Sequence, residues 1–245
     1  MTGETIVITR PKGDGESLAE ALQERGYRVI HEPLSEIILL HNERQALNNA
    51  LLDEPDAVIV TSRHAVHALA LLSELRDPYL LCVGDATAQT AESLGFTRID
   101  TAGGNVDSLI DVIVQGYDPD SHFLYASGQH VRADIEAALS MQDMEVQRII
   151  LYEAMATTQL SDTLVEQLKR RQIDAVTFFS PRAAQIFMSL LAKSQTKEAT
   201  TGLDAFCLSD AVAEPLGSAW KAVHVARHAT LASLVDGVDN VFHVR

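Results

Sequence analysis

Short apolar runs alternate with amphipathic segments along most of this chain. Runs such as residues 5–9 and 57–61 are rich in β-branched side chains, and small polar residues close them. In the segment after the first run, Leu18, Ala21 and Leu22 have the spacing of one helix face. Strands buried on both faces of a parallel sheet are continuously apolar. The pattern therefore predicts repeated strand–helix units and an α/β fold with parallel sheets.

The same reading assigns elements along the whole chain. Predicted strands cover residues 5–9, 28–31, 57–61, 80–83, 98–101, 122–126, 145–152 with a continuation to 156, 175–179, 205–208 and 222–226. Predicted helices cover residues 43–52, 132–141, 162–171, 182–192 and 211–219, and others start near Ser17, Arg63, Ala86, Asn105 and Thr230. Ser17 and Glu20 have capping-box spacing. Residues 34–38 predict an extended connector, and the polar residues 194–202 predict a surface loop.

The chain carries an internal duplication. DAVIVTSRHAVHALALL, which starts at Asp56, returns as DAVTFFSPRAAQIFMSL from Asp174, a shift of 118 positions (174 minus 56). Downstream, Cys82 has its counterpart in Cys207 at a shift of 125 (207 minus 82). A repeat of this length is a domain, because solenoid units recur at about 20 to 50 residues. We expect two similar Rossmann/flavodoxin-like lobes, with a cleft between them whose lining turns are written twice.

Composition and charge narrow the classes of function. The net charge of −15 argues against nucleic acid as a partner. No apolar run approaches the roughly 18 residues of a membrane span, and no export signal is recognised near the N-terminus. Cys82 and Cys207 occupy equivalent strands rather than a metal-type pair. We therefore expect two buried, reduced thiols in a cytoplasmic protein.

The candidate chemistry lies in the turns where predicted strands end and helices begin. In an open parallel sheet such turns meet at the carboxyl edge, where ligands bind. Small residues there expose backbone amides, and a helix N-terminus attracts anions. Helix capping explains any one of these turns without a ligand. The candidate substrate-binding residues are Arg10, Ser62, Arg63, Gly84, Asp85, Thr87, Gly103, Asn105, Ser127, Gly128, Ser180, Pro181, Ser209 and Ala211.

Common cofactor motifs are missing from the sequence. The glycines at 13 and 15 lack the third glycine of a dinucleotide fingerprint, and Gly103-Gly104 lacks the lysine of a P-loop. His64 and His67 are three apart on a helix, but no nearby residue completes a metal site, so a solvated helix face is favoured. No GxSxG elbow is present. The sequence thus predicts neither a cofactor nor a metal.

Seven segments together resemble the uroporphyrinogen-III synthase family. They are ITRP, VTSRHAVHAL, CVGDATAQTAESLGF, the GGN ahead of DSL, LYASGQHVR, ILYEA and FFSPRAAQIF, in the family's order over essentially the whole chain. The resemblance implies a monomeric two-lobed α/β protein whose lobes are joined by a two-stranded ladder. It implies a discontinuous first domain of residues 1–33 plus 158–245, a second domain of 40–148, and linker strands at 34–39 and 149–157.

The resemblance also implies a reaction: a lyase without a cofactor closes hydroxymethylbilane to uroporphyrinogen III in haem biosynthesis. Ring D is inverted and water is lost, and a transient hand-over of substrate from hydroxymethylbilane synthase is implied. Eight substrate carboxylates contrast with the negative chain, so helix N-termini with Arg10, Arg63, Arg132 and Arg182 are expected to invert the local field. The alternative is a non-catalytic two-lobed cytoplasmic protein that binds an anionic metabolite.

Position by position, the resemblance singles out one tyrosine. Tyr152 falls at the family's tyrosine at the end of the linker strand, Thr87 in its GNATA-like turn, and Ser62 and Ser180 in its paired turns. A phenol stays protonated at neutral pH, so Tyr152 is the predicted catalytic residue that donates a hydrogen bond to the departing hydroxyl. Packing on the ladder is the alternative. The chain departs from the family at SDAVA, which offers Ala211 instead of a threonine turn.

Overall fold

In the computed structural model, which describes residues 3–131 and 133–243, each predicted apolar run forms a strand. The strands are β1 (Thr5–Ile8), β2 (Arg28–His31), β3 (Ser35–Leu39), β4 (Ala57–Val60), β5 (Tyr79–Cys82), β6 (Arg98–Thr101), β7 (His122–Gly128), β8 (Glu145–Ala156), β9 (Ala175–Phe178), β10 (Asp204–Cys207) and β11 (Ala222–Val225). The connector predicted at 34–38 is therefore itself the strand β3.

Helices follow the strands in the order expected of strand–helix units. They are α1 (Glu16–Glu24), α2 (Arg44–Leu52), α3 (Arg63–Leu72), α4 (Asp85–Ser93), α5 (Val106–Gly116), α6 (Ile135–Ser140), α7 (Asp162–Lys169), α8 (Pro181–Lys193), α9 (Asp210–Ala213) and α10 (Leu231–Phe242). Three short 3-10 helices cover His41–Glu43, Lys197–Gly202 and Glu214–Leu216.

The first of two compact units, called unit 1, combines the two ends of the chain, Met1–Glu36 and Met155–Arg245. Its sheet has the strand order β11-β10-β9-β1-β2, and all neighbouring pairs are parallel. One apolar cluster covers each face, and Phe178 and Leu22 are fully buried examples from the two clusters. Burial on both faces explains why these strands are continuously apolar.

Unit 2 is the continuous segment Ile37–Ala154. Its strands lie in the order β3-β8-β7-β4-β5-β6, and β8, β7, β4, β5 and β6 are parallel to one another. Two apolar clusters again cover the two faces, with Val60 in one and Ile59 in the other. The predicted fold class, α/β with two parallel sheets, is confirmed.

The chain passes from unit 1 to unit 2 within β3 and returns within β8. The Leu40 N–H donates to the Leu151 carbonyl at 2.9 Å, and the Thr157 N–H donates to the Leu34 carbonyl at 3.0 Å. These bonds pair the two segments in opposite directions. The linkers predicted at 34–39 and 149–157 overlap these two strands.

Three local predictions are wrong for identifiable reasons. Ser17 lies inside α1, whose N-cap is Gly15, so no capping box forms there. The predicted surface loop 194–202 is mostly exposed, but residues Lys197–Gly202 form a 3-10 helix instead of an irregular loop, and within it Thr200 is fully buried and donates to the Ala219 carbonyl at 2.8 Å. The helix predicted at 211–219 ends at Ala213 and is followed by a 3-10 turn, because Pro215 has no N–H to donate.

The structure also bears on two predictions of environment. Cys82 and Cys207 are buried free thiols, as expected. In residues 3–131 and 133–243, no helix combines the length and apolar character needed to cross a membrane.

The helix predicted at 132–141 begins at Ile135, and Arg132 lies outside the described residues.

Candidate functional site

The carboxyl edge of the unit 2 sheet gathers predicted site residues from neighbouring strands. Parallel strands end at the same edge of a sheet, so turns that are far apart in sequence lie side by side. Along the order β8-β7-β4-β5-β6, this edge carries Tyr152, Gly128, Ser62, Gly84 and Gly103.

Tyr152 and Ser62 are joined by their hydroxyl groups. Ser62 is the N-cap of α3, and its Oγ accepts a hydrogen bond from the Ala65 N–H at 3.1 Å. The same Oγ shares a 2.8 Å hydrogen bond with the Tyr152 hydroxyl. The His64 ring lies beside the phenol, with 5.7 Å between the ring centroids. Ser62 therefore connects the phenol to the N-terminus of a helix.

Ser127 is buried and its hydroxyl is bound inside the protein. Its Oγ accepts from Arg148 Nε at 2.8 Å, and another Arg148 nitrogen donates to the Gly128 carbonyl at 2.9 Å. The guanidinium also lies 5.9 Å from the centre of the Tyr125 ring and pairs with Glu136 at 3.6 Å. Arg148 is not among the residues predicted from the sequence. Its one sequence feature is its position directly before the apolar residues 149–151 of β8.

Tyr125, a buried residue of β7, holds the turn between β4 and α3 through its hydroxyl group. Its hydroxyl shares a 3.1 Å hydrogen bond with Thr61 Oγ1, next to Ser62 in the chain. Burial raises the pKa of Tyr125, and the hydrogen bond with Thr61 opposes that rise only in part. This phenol is therefore neutral at physiological pH and holds the turn after β4 in place.

Two glycine turns pack backbone to backbone beyond β5. Gly103 and Gly104 have φ angles of 82° and 104°, which favour glycine, and the Gly104 N–H donates to the Val83 carbonyl. A methyl group placed on Gly84 would lie 3.0 Å from the Gly104 Cα. The glycines thus bring the starts of α4 and α5 together. Asn105 caps α5 by accepting from the Ser108 N–H at 2.8 Å.

Other predicted residues of unit 2 divide by exposure. Asp85, the first residue of α4, is exposed, whereas the Thr87 side chain is buried within that helix. Arg63 is the first residue of α3 and is half-buried. His67 is exposed as predicted, but His64 is half-buried beside Tyr152 rather than on a solvated face. Across the described ranges, no three His, Cys, Asp or Glu residues are grouped to hold a metal.

Unit 1 presents its own predicted residues at the carboxyl edge of its sheet. The Arg10 guanidinium lies 4.5 Å from the centre of the Phe179 ring and 3.8 Å from the Asp14 carboxylate. Ser180 caps α8, whose first residue is Pro181, by accepting from the Ala183 N–H at 3.1 Å. Ser209 precedes the short helix α9, and Ala211 is exposed within it. Arg182 is the second residue of α8.

Comparison with known proteins gives one consistent answer. The family model described as Uroporphyrinogen-III synthase HemD matches residues 16–236. A relative from Methanothermobacter thermautotrophicus, named provisionally as a uroporphyrinogen-III synthase, is 28% identical over 195 residues, which are 72% of this chain and 73% of that protein.

Solved structures agree on the fold. A mutant uroporphyrinogen III synthase from Thermus thermophilus has a TM-score of 0.61 at 16% identity and covers 99% of this chain and 100% of its own. Uroporphyrinogen-III synthetase from Helicobacter pylori has a TM-score of 0.65 at 15% identity, with 97% and 99% covered. At these identities the solved structures show the fold, and the family model favours the synthase over the non-catalytic binding protein. Because the family model spans most of its length, the chain belongs to the uroporphyrinogen-III synthase family.

Proposed function

We propose that the chain closes hydroxymethylbilane to uroporphyrinogen III as a hydro-lyase, with Tyr152 assisting departure of the hydroxyl group. The observation that carries this role is the 2.8 Å hydrogen bond between Tyr152 and Ser62 at the carboxyl edge of unit 2. In the family's reaction, the C–O bond of the hydroxymethyl group breaks and its oxygen leaves as water. The methylene carbon then bonds to the ring D carbon that already carries the bridge to ring C. That bridge bond breaks and re-forms at the other α-carbon of ring D, which loses its proton, so the ring is inverted.

The hydrogen-bond chain can leave the phenol proton directed at the substrate. A serine hydroxyl has one proton and two acceptor sites. Ser62 uses one acceptor site for the Ala65 N–H and can donate its proton to the Tyr152 oxygen. In that arrangement Tyr152 accepts from Ser62, and in the substrate complex its own proton is proposed to donate to the departing oxygen, since each bond in such a chain polarises the next.

The substrate carboxylates need local positive potential on a chain of net charge −15. The helices α3, α4 and α5 all begin at the carboxyl edge of unit 2, and each N-terminus carries about half a positive charge. Gly84 caps α4 without a side-chain bond, and the Thr87 N–H already donates to the Gly84 carbonyl, so we assign the anion to the amides of Asp85 and Ala86. We place carboxylate binding at Ser62, Arg63, Gly84, Asp85, Gly103 and Asn105, through backbone amides wherever the side chain is neutral or acidic.

Each unit is proposed to bind carboxylates at its own edge. In unit 1 the contributors are Arg10, Ser180, Pro181, Ser209 and Ala211, and Arg10, which lies against Phe179 and 3.8 Å from the Asp14 carboxylate, is the positively charged side chain among them. Positioning the two reacting carbons can by itself supply roughly 7 to 11 kcal/mol. Most of the catalysis is therefore assigned to holding the folded substrate, and a smaller part to Tyr152.

The reaction is tested by incubating the protein with hydroxymethylbilane and separating the ring isomers. Uroporphyrinogen III is expected, whereas spontaneous closure gives isomer I. A product of isomer I alone would reject the assignment.

The role of Tyr152 is tested by Tyr152→Phe, which removes only the hydroxyl. Turnover is expected to fall roughly 10- to 100-fold, on the scale of a donor that acts on a leaving group. Tyr117→Phe is the matched control, since Tyr117 follows the opposite end of α5 and packs edge-on against Phe123. An unchanged rate in Tyr152→Phe would remove the residue from the mechanism.

We also propose a monomeric enzyme of the cytoplasm that receives its substrate from hydroxymethylbilane synthase. Two buried free thiols fit a reducing compartment. The monomer and the hand-over rest on the family resemblance. Sedimentation of the protein alone and with hydroxymethylbilane synthase tests both.

A further inference from the structure

We propose that Gly128 and a bulge in β8 position Tyr152, so that Gly128 serves the tyrosine rather than the substrate. The catalytic part of this inference rests on the function proposed for Tyr152 above. Three features meet at the phenol: the register of β8, the missing side chain at Gly128 and the hydroxyl of Ser62.

The bulge turns Tyr152 to the face of the sheet that carries α3. β7 and β8 pair in step from His122↔Glu145 to Ser127↔Ile150, but the next pair is Gly128↔Tyr152, which passes over Leu151. Consecutive residues of a regular strand point to opposite faces. Leu151 is buried in the cluster that includes α3, and Tyr152 packs against that same cluster. The extra residue thus brings Tyr152 to the side where Ser62 begins α3.

Gly128 makes room for the ring. A methyl group placed on Gly128 would lie 2.6 Å from Cζ of Tyr152 and 2.9 Å from its hydroxyl oxygen, closer than carbon atoms approach. The backbone of Gly128 is outside the left-handed region, so its conformation does not itself require glycine. The space that the glycine leaves is taken up by the phenol.

The duplication supports this reading. At the shift of 117, the unit 1 counterpart of Gly128 is Pro11 (128 minus 117). Beyond the extra residue of the bulge the shift is 118, so the counterpart of Tyr152 is Leu34 (152 minus 118). A bulky ring at position 11 occurs in the copy that has no tyrosine. Glycine and tyrosine therefore occur together in one copy and are absent together from the other.

The expected consequence of Gly128→Ala is displacement of the phenol and loss of its bond to Ser62. We expect kcat to fall roughly 10- to 100-fold, as in Tyr152→Phe, while KM changes little. The double variant Gly128→Ala/Tyr152→Phe should be no slower than Tyr152→Phe, because the displaced ring no longer carries a hydroxyl. Gly116→Ala is the matched control, since Gly116 has open space at its Cα and lies at the end of α5.

A packing measurement separates this inference from the catalytic role. Gly128→Ala is expected to lower the unfolding midpoint, and the loss should vanish when it is combined with Tyr152→Ala, which removes the colliding ring. Recovery in the double variant supports the positioning role. An equal loss in both backgrounds would overturn it, and so would a wild-type kcat in Gly128→Ala when Tyr152→Phe is slow.

A variant pair at Ser62 keeps the test decisive if Gly128→Ala fails to fold. Ser62→Ala removes the bond to the phenol and should lower kcat, and Ser62→Thr, which retains a hydroxyl, should restore most of it. Thr230→Ala removes a comparable N-cap, on α10, and corrects for the lost cap. A further loss from Ser62→Ala in the Tyr152→Phe background would overturn positioning through Ser62. A wild-type rate in Tyr152→Phe would instead refute the catalytic role alone. The unfolding midpoints would still show whether Gly128 makes room for the ring of Tyr152.

Discussion

Units 1 and 2 are built from the same parts, but the unit 2 sheet has the additional strand β3, and its strand β8 is longer than the equivalent β2. Counted from the middle, β9 and β4 are equivalent, as are β1 and β7, and β2 and β8. β2 has four residues and ends two positions before Pro33, whereas β8 has twelve and carries Tyr152. The longer strand therefore places a phenol at the carboxyl edge of unit 2 for which unit 1 has no counterpart.

Residues that occur in both copies maintain the strand–helix unit. Asp174 accepts from the Thr5 N–H at 2.8 Å, and Asp56 accepts from the His122 N–H at 2.9 Å, so each aspartate fixes the start of the neighbouring strand. Ser62 and Ser180 likewise cap equivalent helices. Shared residues thus maintain the fold, and a shared cap such as Ser62 gains a further role only beside a residue, Tyr152, that one copy alone carries.

Among the variants that separate the roles of the two units, the largest effect is expected at Arg10, a positively charged residue at the carboxyl edge of unit 1, and it is expected on KM. If unit 1 binds carboxylates while unit 2 carries the phenol, Arg10→Gln should raise KM for hydroxymethylbilane roughly 10- to 100-fold. That is the scale of a hydrogen bond to a charged group, about 1.5 to 3 kcal/mol. In contrast to Tyr152→Phe, kcat should change little. Steady-state kinetics of both variants measure the split.

The control for Arg10 is Arg25→Gln, which changes the net charge equally. Arg25 follows α1 and pairs with Asp239 at 2.8 Å, away from the carboxyl edge. Its KM should stay near that of the wild type. An equal rise in both variants would mean that the overall charge, rather than the position of Arg10, determines substrate affinity.

The hydrogen bonds that Asp174 and Asp56 accept from the backbone offer a second test of the difference between the units, because the bond in unit 1 is more buried than the bond in unit 2. Thr5 is buried, so Asp174→Ala leaves a buried N–H unpaired and should cost about 1 to 3 kcal/mol of unfolding free energy. The Asp56 and His122 side chains are nearly half exposed, so Asp56→Ala should cost less than about 1 kcal/mol.

Trp220 allows the units to be followed separately. It is the single tryptophan of the sequence and is buried in a core cluster of unit 1, so its fluorescence reports on that unit, while circular dichroism reports on both. Urea unfolding should show the loss from Asp174→Ala in the fluorescence transition. Identical losses for Asp174→Ala and Asp56→Ala would show that burial does not distinguish the two bonds.

Much of the fold could be predicted from the sequence because the strands are buried on both faces. Their apolar runs and the duplicated segments are local signals. The polar, non-periodic residues 194–202 predict a surface loop, and the burial of Thr200 within them depends on the Ala219 carbonyl, 19 positions away. Long-range pairing of this kind overrides the local pattern.

The turns that form the site could be predicted from the sequence, but which of their side chains meet could not. Ser62 and Tyr152 are 90 positions apart and meet only because β7 alone separates β4 from β8. A one-residue register shift leaves no mark on composition or periodicity, so the bulge that turns Tyr152 could not be foreseen. Arg148 could not be predicted from the turn residues, because its role depends on the buried hydroxyl of Ser127, which accepts from its Nε.

The smallest expected effect tests whether the equivalent cysteines are equally buried. Burial raises the pKa of Cys82 and of Cys207 to about 12, from an ordinary value of 9.0. Between pH 9 and 12 the unfolded thiols ionise while the folded ones keep their protons, so stability falls as pH rises. Cys82→Ala and Cys207→Ala should each reduce that slope, by at most about 1.4 kcal/mol per pH unit.

Unfolding free energies at several pH values above 9, each compared with the wild type, measure the two slopes. The comparison with the wild type cancels the contributions of lysines and tyrosines that titrate in the same range. Because Cys82 and Cys207 end equivalent strands and are both fully buried, the two reductions should be equal. A reduction in one variant alone would show that the other thiol is accessible to water in the folded protein, and that the two cores are not equivalent.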